Sequence, residues 1–385
     1  MKIKFTIAFV LAAAFLILGA CRRQTPRQST SNSNSSPSQE APVGGGAAQT
    51  GQKFFFRGTI ANDLSIEMNL MRDGDRLSGS YFYPRVGKDI ALVGTVDSGG
   101  NVSLTESDAS GKQTGIFKGK WKPATDSPDP SLNEIEGKWT RPDGSKETDF
   151  LLWQQPLEFS ETIRVVPKVI KEANKDKLYT VEAEYPQIEG DPRFDGFNRE
   201  ARSLMFKDVA AFKSAETMQE GDEPSGLPGE TQNWTLNARY DFRYATDDLI
   251  SLEFVEGAYS RGAAHGNHLT QVLNYDVKNG KKLALADLFN AKAKYLVVIS
   301  DYCLKELKER AKQEDSMIFA DQLQSGAGPH ADNYRAWAIT KKGLWITFDP
   351  YQVAAYAAGP QYVLVPYSTL KDVIRPDGPI GNFAR

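Results

Sequence analysis

One glycine recurs three times in the middle of strand-like runs between Lys53 and Gln155, and this recurrence restricts the fold more than any other feature. The pattern apolar-x-Gly-x-aromatic occurs at Leu77-Ser78-Gly79-Ser80-Tyr81, Phe117-Lys118-Gly119-Lys120-Trp121 and Ile135-Glu136-Gly137-Lys138-Trp139. Around it apolar and polar residues alternate, as at Ile66, Met68 and Leu70, at Ile90, Leu92 and Val96, and at Val102 and Leu104. Asp73-Gly74-Asp75, Asp97-Ser98-Gly99-Gly100-Asn101 and Pro142-Asp143-Gly144 supply the turns. Glycine inside a strand costs stability unless the strand bends sharply or another backbone comes close. Glycines placed this regularly predict a small closed barrel of about eight strands. A barrel of that size is packed solid or holds one small ligand, so an apolar-ligand carrier is one reading of the region.

The start of the chain predicts where it resides. Lys2 and Lys4 precede an apolar run from Phe5 to Leu18 and then Gly19-Ala20-Cys21. That is the pattern of a secretory signal over residues 1–20, too short for a comfortable spanning helix. Leu18-Gly19-Ala20-Cys21 resembles a bacterial lipobox, which implies acylation of Cys21 and a membrane partner through that lipid. Arg22 and Arg23, rather than Asp, follow the cysteine, which in a two-membrane cell favours the outer membrane. Residues 21–52 are mainly Ser, Asn, Gln, Thr, Pro, Gly and Ala without apolar periodicity, a flexible tether by composition. The only other cysteine is Cys303, so acylation of Cys21 leaves no intrachain disulfide. Cys303 lies in an apolar helical stripe and reads as a buried core thiol. With a net charge of −3 and no basic stripe, a nucleic-acid partner is not expected.

Beyond Gln155 the pattern changes to α+β, an antiparallel sheet with helices packed on it, preceded by the separate all-β barrel. Residues 156–260 begin with strand-like runs at Ile163–Ile170 and Leu178–Tyr185. An amphipathic helix follows, with Phe194, Phe197, Ala201, Leu204, Met205, Val209 and Phe212 on one face. A loop is expected over Glu220–Glu230, then a hairpin of Trp234–Tyr244 with Leu249–Tyr259. Residues 261–385 offer a strand at Leu269–Val277, a helix from about Ala293 to Gln313, and strands at Arg335–Thr340, Gly343–Phe348 and Tyr362–Pro366. Helices grouped beside a mostly antiparallel sheet define this class.

The motifs Gly262-Ala263-Ala264-His265-Gly266-Asn267, Leu273-Asn274-Tyr275-Asp276, Asn279-Gly280-Lys281 and Leu285-x-Asp287-Leu288-Phe289 come in that order. Gly343-Leu344-Trp345-Ile346-x-Phe348-x-Pro350-Tyr351 and Val365-Pro366-Tyr367 follow. Together they resemble an extracellular bacterial family, the C-terminal part of the RsiV anti-sigma factor's ectodomain. Its companion module, also found before the catalytic domain of PdaC-type peptidoglycan deacetylases, corresponds to about Phe159 to Tyr259. The resemblance covers roughly Phe159 to Leu370 and implies an α+β fold and a surface for a wall-associated protein, such as lysozyme, or a glycan. No sigma-binding segment is recognised, so signalling by the RsiV route is not expected.

Chemistry-bearing residues are few. His265 and His268 form H-x-x-H, which offers two metal ligands with His330 or Asp349 as a third. No acid adjoins them and glycines surround them, unlike the helical H-E-x-x-H. The residues therefore predict no metal and no cofactor, with His265 as a loop histidine bonded to backbone. Thr347-Phe348-Asp349-Pro350 lacks the second acid of the deacetylase T-F-D-D motif and reads as a strand-ending turn. No nucleophile elbow, phosphate loop or Cys/His pair is present. Arg261, His265, Asn267, His268, Asp349, Tyr351 and Tyr356 are the candidate ligand-binding residues, since tyrosine combines contact area with a polar tip. The sequence alone thus predicts a noncatalytic, lipid-anchored envelope protein that binds a wall-associated protein or glycan. Its rival is a metal-dependent peptidoglycan-modifying enzyme.

Overall fold

The computed structural model describes residues 51–385 apart from 62, 125–131, 161–162, 175–177, 217–232, 262 and 385. The signal-like segment, Cys21, nearly all of the tether and the loop Glu220–Glu230 lie outside the described residues. Among the described residues no helix is long and apolar enough to cross a membrane.

Eight antiparallel strands close into a barrel: β1 (Gln52–Ile60), β2 (Leu64–Asp73), β3 (Arg76–Phe82), β4 (Ile90–Val96), β5 (Asn101–Ser107), β6 (Gln113–Pro123), β7 (Asn133–Thr140) and β8 (Thr148–Gln155). Strand β1 returns to β8 with Ile60 opposite Phe150 and Phe55 opposite Gln155. The repeated glycines sit where strands approach too closely for a side chain. Gly119 and Gly137 face each other across β6 and β7. A Cβ on Gly137 would lie 2.1 Å from the Lys118 carbonyl oxygen, and one on Gly119 would lie 2.2 Å from that of Glu136. Inside, Phe117 meets Tyr81 and Phe150 edge-on at 5.5 and 5.1 Å, and Trp121 meets Phe54 and Phe56 at 4.8 and 5.2 Å. Met68, Leu104, Ile135 and Leu152 fill the remainder of this buried cluster. The interior is therefore a packed core, and the apolar-ligand carrier is ruled out by the side chains that occupy its place.

A seven-stranded sheet follows, built from β9 (Leu157–Glu158), β10 (Arg164–Asn174), β11 (Tyr179–Glu189), β12 (Trp234–Thr246), β13 (Leu249–Tyr259), β14 (Asn267–Asp276) and β15 (Lys281–Lys282). The order is β10-β11-β12-β13-β14-β15, with β9 beside β12. The sheet is not wholly antiparallel: β11 and β12 run parallel, as do β9 and β12. A parallel pair needs a crossover connection, and helix α1 (Asp195–Glu216) lies on the one between β11 and β12. Phe197, Ala201, Met205 and Val209 of α1 share a core with Val181, Ala183, Leu236 and Ala238. Each large apolar side chain buried there contributes about 1.5–3 kcal/mol.

The C-terminal layer contains α2 (Tyr295–Arg310), α3 (Leu323–Ala327), the three-stranded antiparallel sheet β16 (Trp337–Ile339), β17 (Gly343–Phe348) and β18 (Gln361–Pro366), and α4 (Tyr367–Leu370). Ile299, Cys303 and Leu307 of α2 enter its core with Ile339, Leu344, Ile346 and Val363. Buried polar groups tie this layer to the face of the larger sheet that α1 leaves free. The Asn274 amide donates to the Trp337 carbonyl at 2.9 Å, the Ile339 N–H donates to Ser251 Oγ at 2.7 Å, and Thr347 Oγ1 donates to Glu253 at 2.9 Å. These contacts all lie at one end of β13 and β14. The other end of that face stays open.

Candidate functional site

The open end forms a groove of about 400 Å³ lined by Glu182, Glu184, Asn237, Arg239, Val255 and His268, with Gly257 in its floor. Strand register explains the grouping. Glu182 lies opposite Asn237, Asn237 opposite Gly257, and Gly257 opposite His268, so one row crosses four strands. Side chains two apart share a face, which places Glu184 beside Glu182 and Arg239 beside Asn237. Glycine at 257 leaves the middle of the row as bare backbone.

An aromatic rim adjoins the groove where β14 begins. The His265 ring stacks on Tyr356 at 3.9 Å between centroids, and Tyr351 lies 5.6 Å from Tyr356. The Tyr356 hydroxyl donates to the Gly266 carbonyl at 2.6 Å, while the Tyr351 hydroxyl lies 3.3 Å from His265 Nε2. Tyr351 has a φ of +70°, a left-handed conformation uncommon for a bulky residue, and its side chain is 58% exposed. Such strain clusters at binding sites because the surrounding structure must hold it in place.

The sequence-predicted residues thus divide. His265, Tyr351 and Tyr356 come together on the rim, His268 lines the groove, and Asn267 is exposed on β14 between them. Asp349 does not face a ligand: it is buried, accepting from the Thr270 N–H at 3.0 Å and pairing with Arg335 at 3.0 Å, so it fastens the C-terminal layer to β14. Arg261 is half-buried outside this grouping, and its Nε has no hydrogen-bond partner. The two histidines of H-x-x-H do not pair as ligands, because His265 stands in the bend before β14 while His268 lies on the strand itself. His265 is instead occupied by Gly266 and Tyr351. Among the described residues no three His, Cys, Asp or Glu side chains gather as a metal-ligand set.

Sequence reasoning missed Glu182, Glu184, Asn237 and Arg239. Their signal was the polar alternation on β11 and β12, which marks a solvent-side face without saying which part of it remains uncovered.

Residues 172–268 match the family model described as Deacetylase PdaC. Residues 286–368 match the model of a protein of unknown function, DUF3298. The chain is 28% identical over 202 residues to the peptidoglycan-N-acetylmuramic acid deacetylase PdaC of Bacillus subtilis (strain 168), spanning 52% of this chain but only 40% of that protein. A DUF3298 family structure from Bacteroides fragilis aligns over 59% of this chain and 99% of its own, with 17% identity and a TM-score of 0.43. Another, from Pseudomonas aeruginosa PAO1, aligns over 56% and 96%, with 18% identity and a TM-score of 0.41. The PdaC-type match corrects one expectation. A chain one quarter of which matches a deacetylase model points toward an enzyme, so the noncatalytic reading is withdrawn. The likeness found is to DUF3298 and PdaC.

Proposed function

We propose that the protein works at peptidoglycan, in a peptidoglycan-modifying role, and that the groove with its aromatic rim is the surface that takes the glycan strand. One observation carries this reading: every residue lining the groove falls within residues 172–268, the segment that matches Deacetylase PdaC. The chemistry suits a sugar chain. The rim offers aromatic faces for the apolar faces of sugar rings, and Asn237, Arg239 and Glu182 offer donors and acceptors for hydroxyl and amide groups. Glu182, Glu184 and His268 are the groove's groups able to exchange protons, and Arg239 its cation able to steady an oxyanion.

The test uses purified insoluble peptidoglycan with the intact protein, measuring retention in the pellet and release of acetate or of reducing ends. Retention should fall at least tenfold in Arg239→Ala combined with Tyr356→Ala, with unchanged far-UV dichroism. Wild-type protein that neither pellets with peptidoglycan nor alters it refutes the proposal. Lysozyme, the partner implied by the narrower RsiV likeness, is tested apart from peptidoglycan, which it would itself cleave: a direct titration of lysozyme into the protein should weaken in Tyr356→Ala if it docks on the rim. Anchoring through an acylated Cys21 would keep the protein at the membrane. Mass analysis of the mature N-terminus tests it, and Cys21→Ser should release the protein from membranes.

A further inference from the structure

The barrel touches the sheet beside the groove, and a single cation is shared there between two carboxylates. Arg57 points outward from β1. Its Nε lies 3.3 Å from Glu67 of β2, and a terminal nitrogen pairs with Glu184 of β11. The other terminal nitrogen donates to the Tyr240 carbonyl at 3.2 Å, and the guanidinium carbon sits 4.4 Å above the Tyr240 ring. Phe55, Phe82, Leu157 and Phe242 enclose the cluster around a void of about 10 Å³, room for about one water. The Tyr240 hydroxyl is buried there without a partner. Glu184 belongs to both places, since it also lines the groove.

Resting on the peptidoglycan reading of the groove, we propose that the barrel controls the groove through Arg57, whose one guanidinium is shared between Glu67 of the barrel and Glu184 of the groove wall. Arg57 is thus a positioning residue. The groups facing Glu67 are Arg57 from β1, Glu184 from β11 and Tyr240 from β12. Burial pushes the Glu67 carboxyl up to about 8, with Arg57 opposing the rise and Glu184 adding to it. Below that pH the cluster is one cation with one anion, and Glu184 is held at the barrel. Above it a second anion competes for the same guanidinium, and Glu184 brings unneutralised charge to the groove wall.

The experiment is retention on purified peptidoglycan at pH 6, 7, 8 and 9, using the intact protein, Glu67→Gln and Glu67→Leu. Wild-type retention should fall several-fold between pH 7 and 9, and both variants should give a flat profile at the pH 7 level. If wild type is retained and all three profiles have the same shape, the control mechanism is refuted while the groove reading stands. Wild type that is retained at no pH refutes the groove reading itself. Two variants of different polarity guard against a folding defect in either. A carbon-13 titration of the glutamate carboxyls adds a readout free of binding: of the two carboxyls that burial pushes up to about 8, Glu67 and Glu256, one should vanish in Glu67→Gln while the other stays, and two high-titrating carboxyls in that variant overturn the proposal.

Discussion

Glu256 allows the sheet's electrostatics to be measured directly. It sits on the α1 side of β13, only 8% exposed, where Gln271 Nε2 donates to it at 2.7 Å. Burial and then the facing, hydrogen-bonded Asp208 carboxylate of α1 hold its carboxyl well above the usual carboxylate range. Because the folded value is raised, its contribution to stability is complete below the unfolded value and is lost as pH climbs through the folded one. Over that window the loss is about 1.4 kcal/mol per pH unit. Glu256→Gln can still accept from Gln271 and donate to Asp208, yet cannot ionise. Its stability relative to wild type should therefore rise by roughly 2–3 kcal/mol between pH 5 and 7. Urea unfolding of both proteins at pH 5, 6 and 7, followed by tryptophan fluorescence with equal slopes, measures this. Glu67 has the same sign of shift but is common to both proteins and cancels. Parallel stability curves would refute the assignment of a neutral, buried Glu256.

Two further outcomes follow from the cores. Gly137→Ala should lower stability by about 1–3 kcal/mol or more, because its Cβ would overlap the Lys118 carbonyl and force β6 from β7; thermal melting of the barrel reports it. Cys303 is wholly buried, and burial raises its thiol, so a thiol reagent should label it only after unfolding; Cys303→Ser should cost about 1–3 kcal/mol in a denaturant titration.

The barrel was legible because its cause is local. Gly119 and Gly137 are required by the backbone a few ångströms away, and the aromatic two residues later fills the space inside. The α+β layer was legible element by element, since α1 and the long strands carry clean periodicities. The parallel pairing of β11 with β12 was not. Alternation in Val181–Ala183 and Leu236–Ala238 reads the same for parallel and antiparallel neighbours, and only the packing of α1 across the intervening chain decides. The aromatic rim was partly legible, because Tyr351, Tyr356 and His265 stand out as polar-tipped rings near small residues. Asp349 stands out equally but spends both oxygens on Thr270 and Arg335, partners distant in sequence.

The groove shows why periodicity alone fails at sites. On β12 the residues Asn237, Arg239, Asp241 and Arg243 all point to the same face, and nothing in their order distinguishes them. Arg243 is covered and pairs with Glu253 at 2.5 Å, whereas Asn237 and Arg239 line open space. The difference comes from lengths that belong to separate parts of the chain. β13 has 11 residues, about 36 Å of strand, while β17 and β18 have 6 each, about 20 Å, and β16 has 3. A layer that short cannot cover the whole face. The buried contacts of Ser251 with Ile339, Asn274 with Trp337 and Glu253 with Thr347 seat it over one end of β13, and Asp349 reaches as far as Thr270 on β14, so Glu182, Asn237, Gly257 and His268 beyond them are the part left for a ligand.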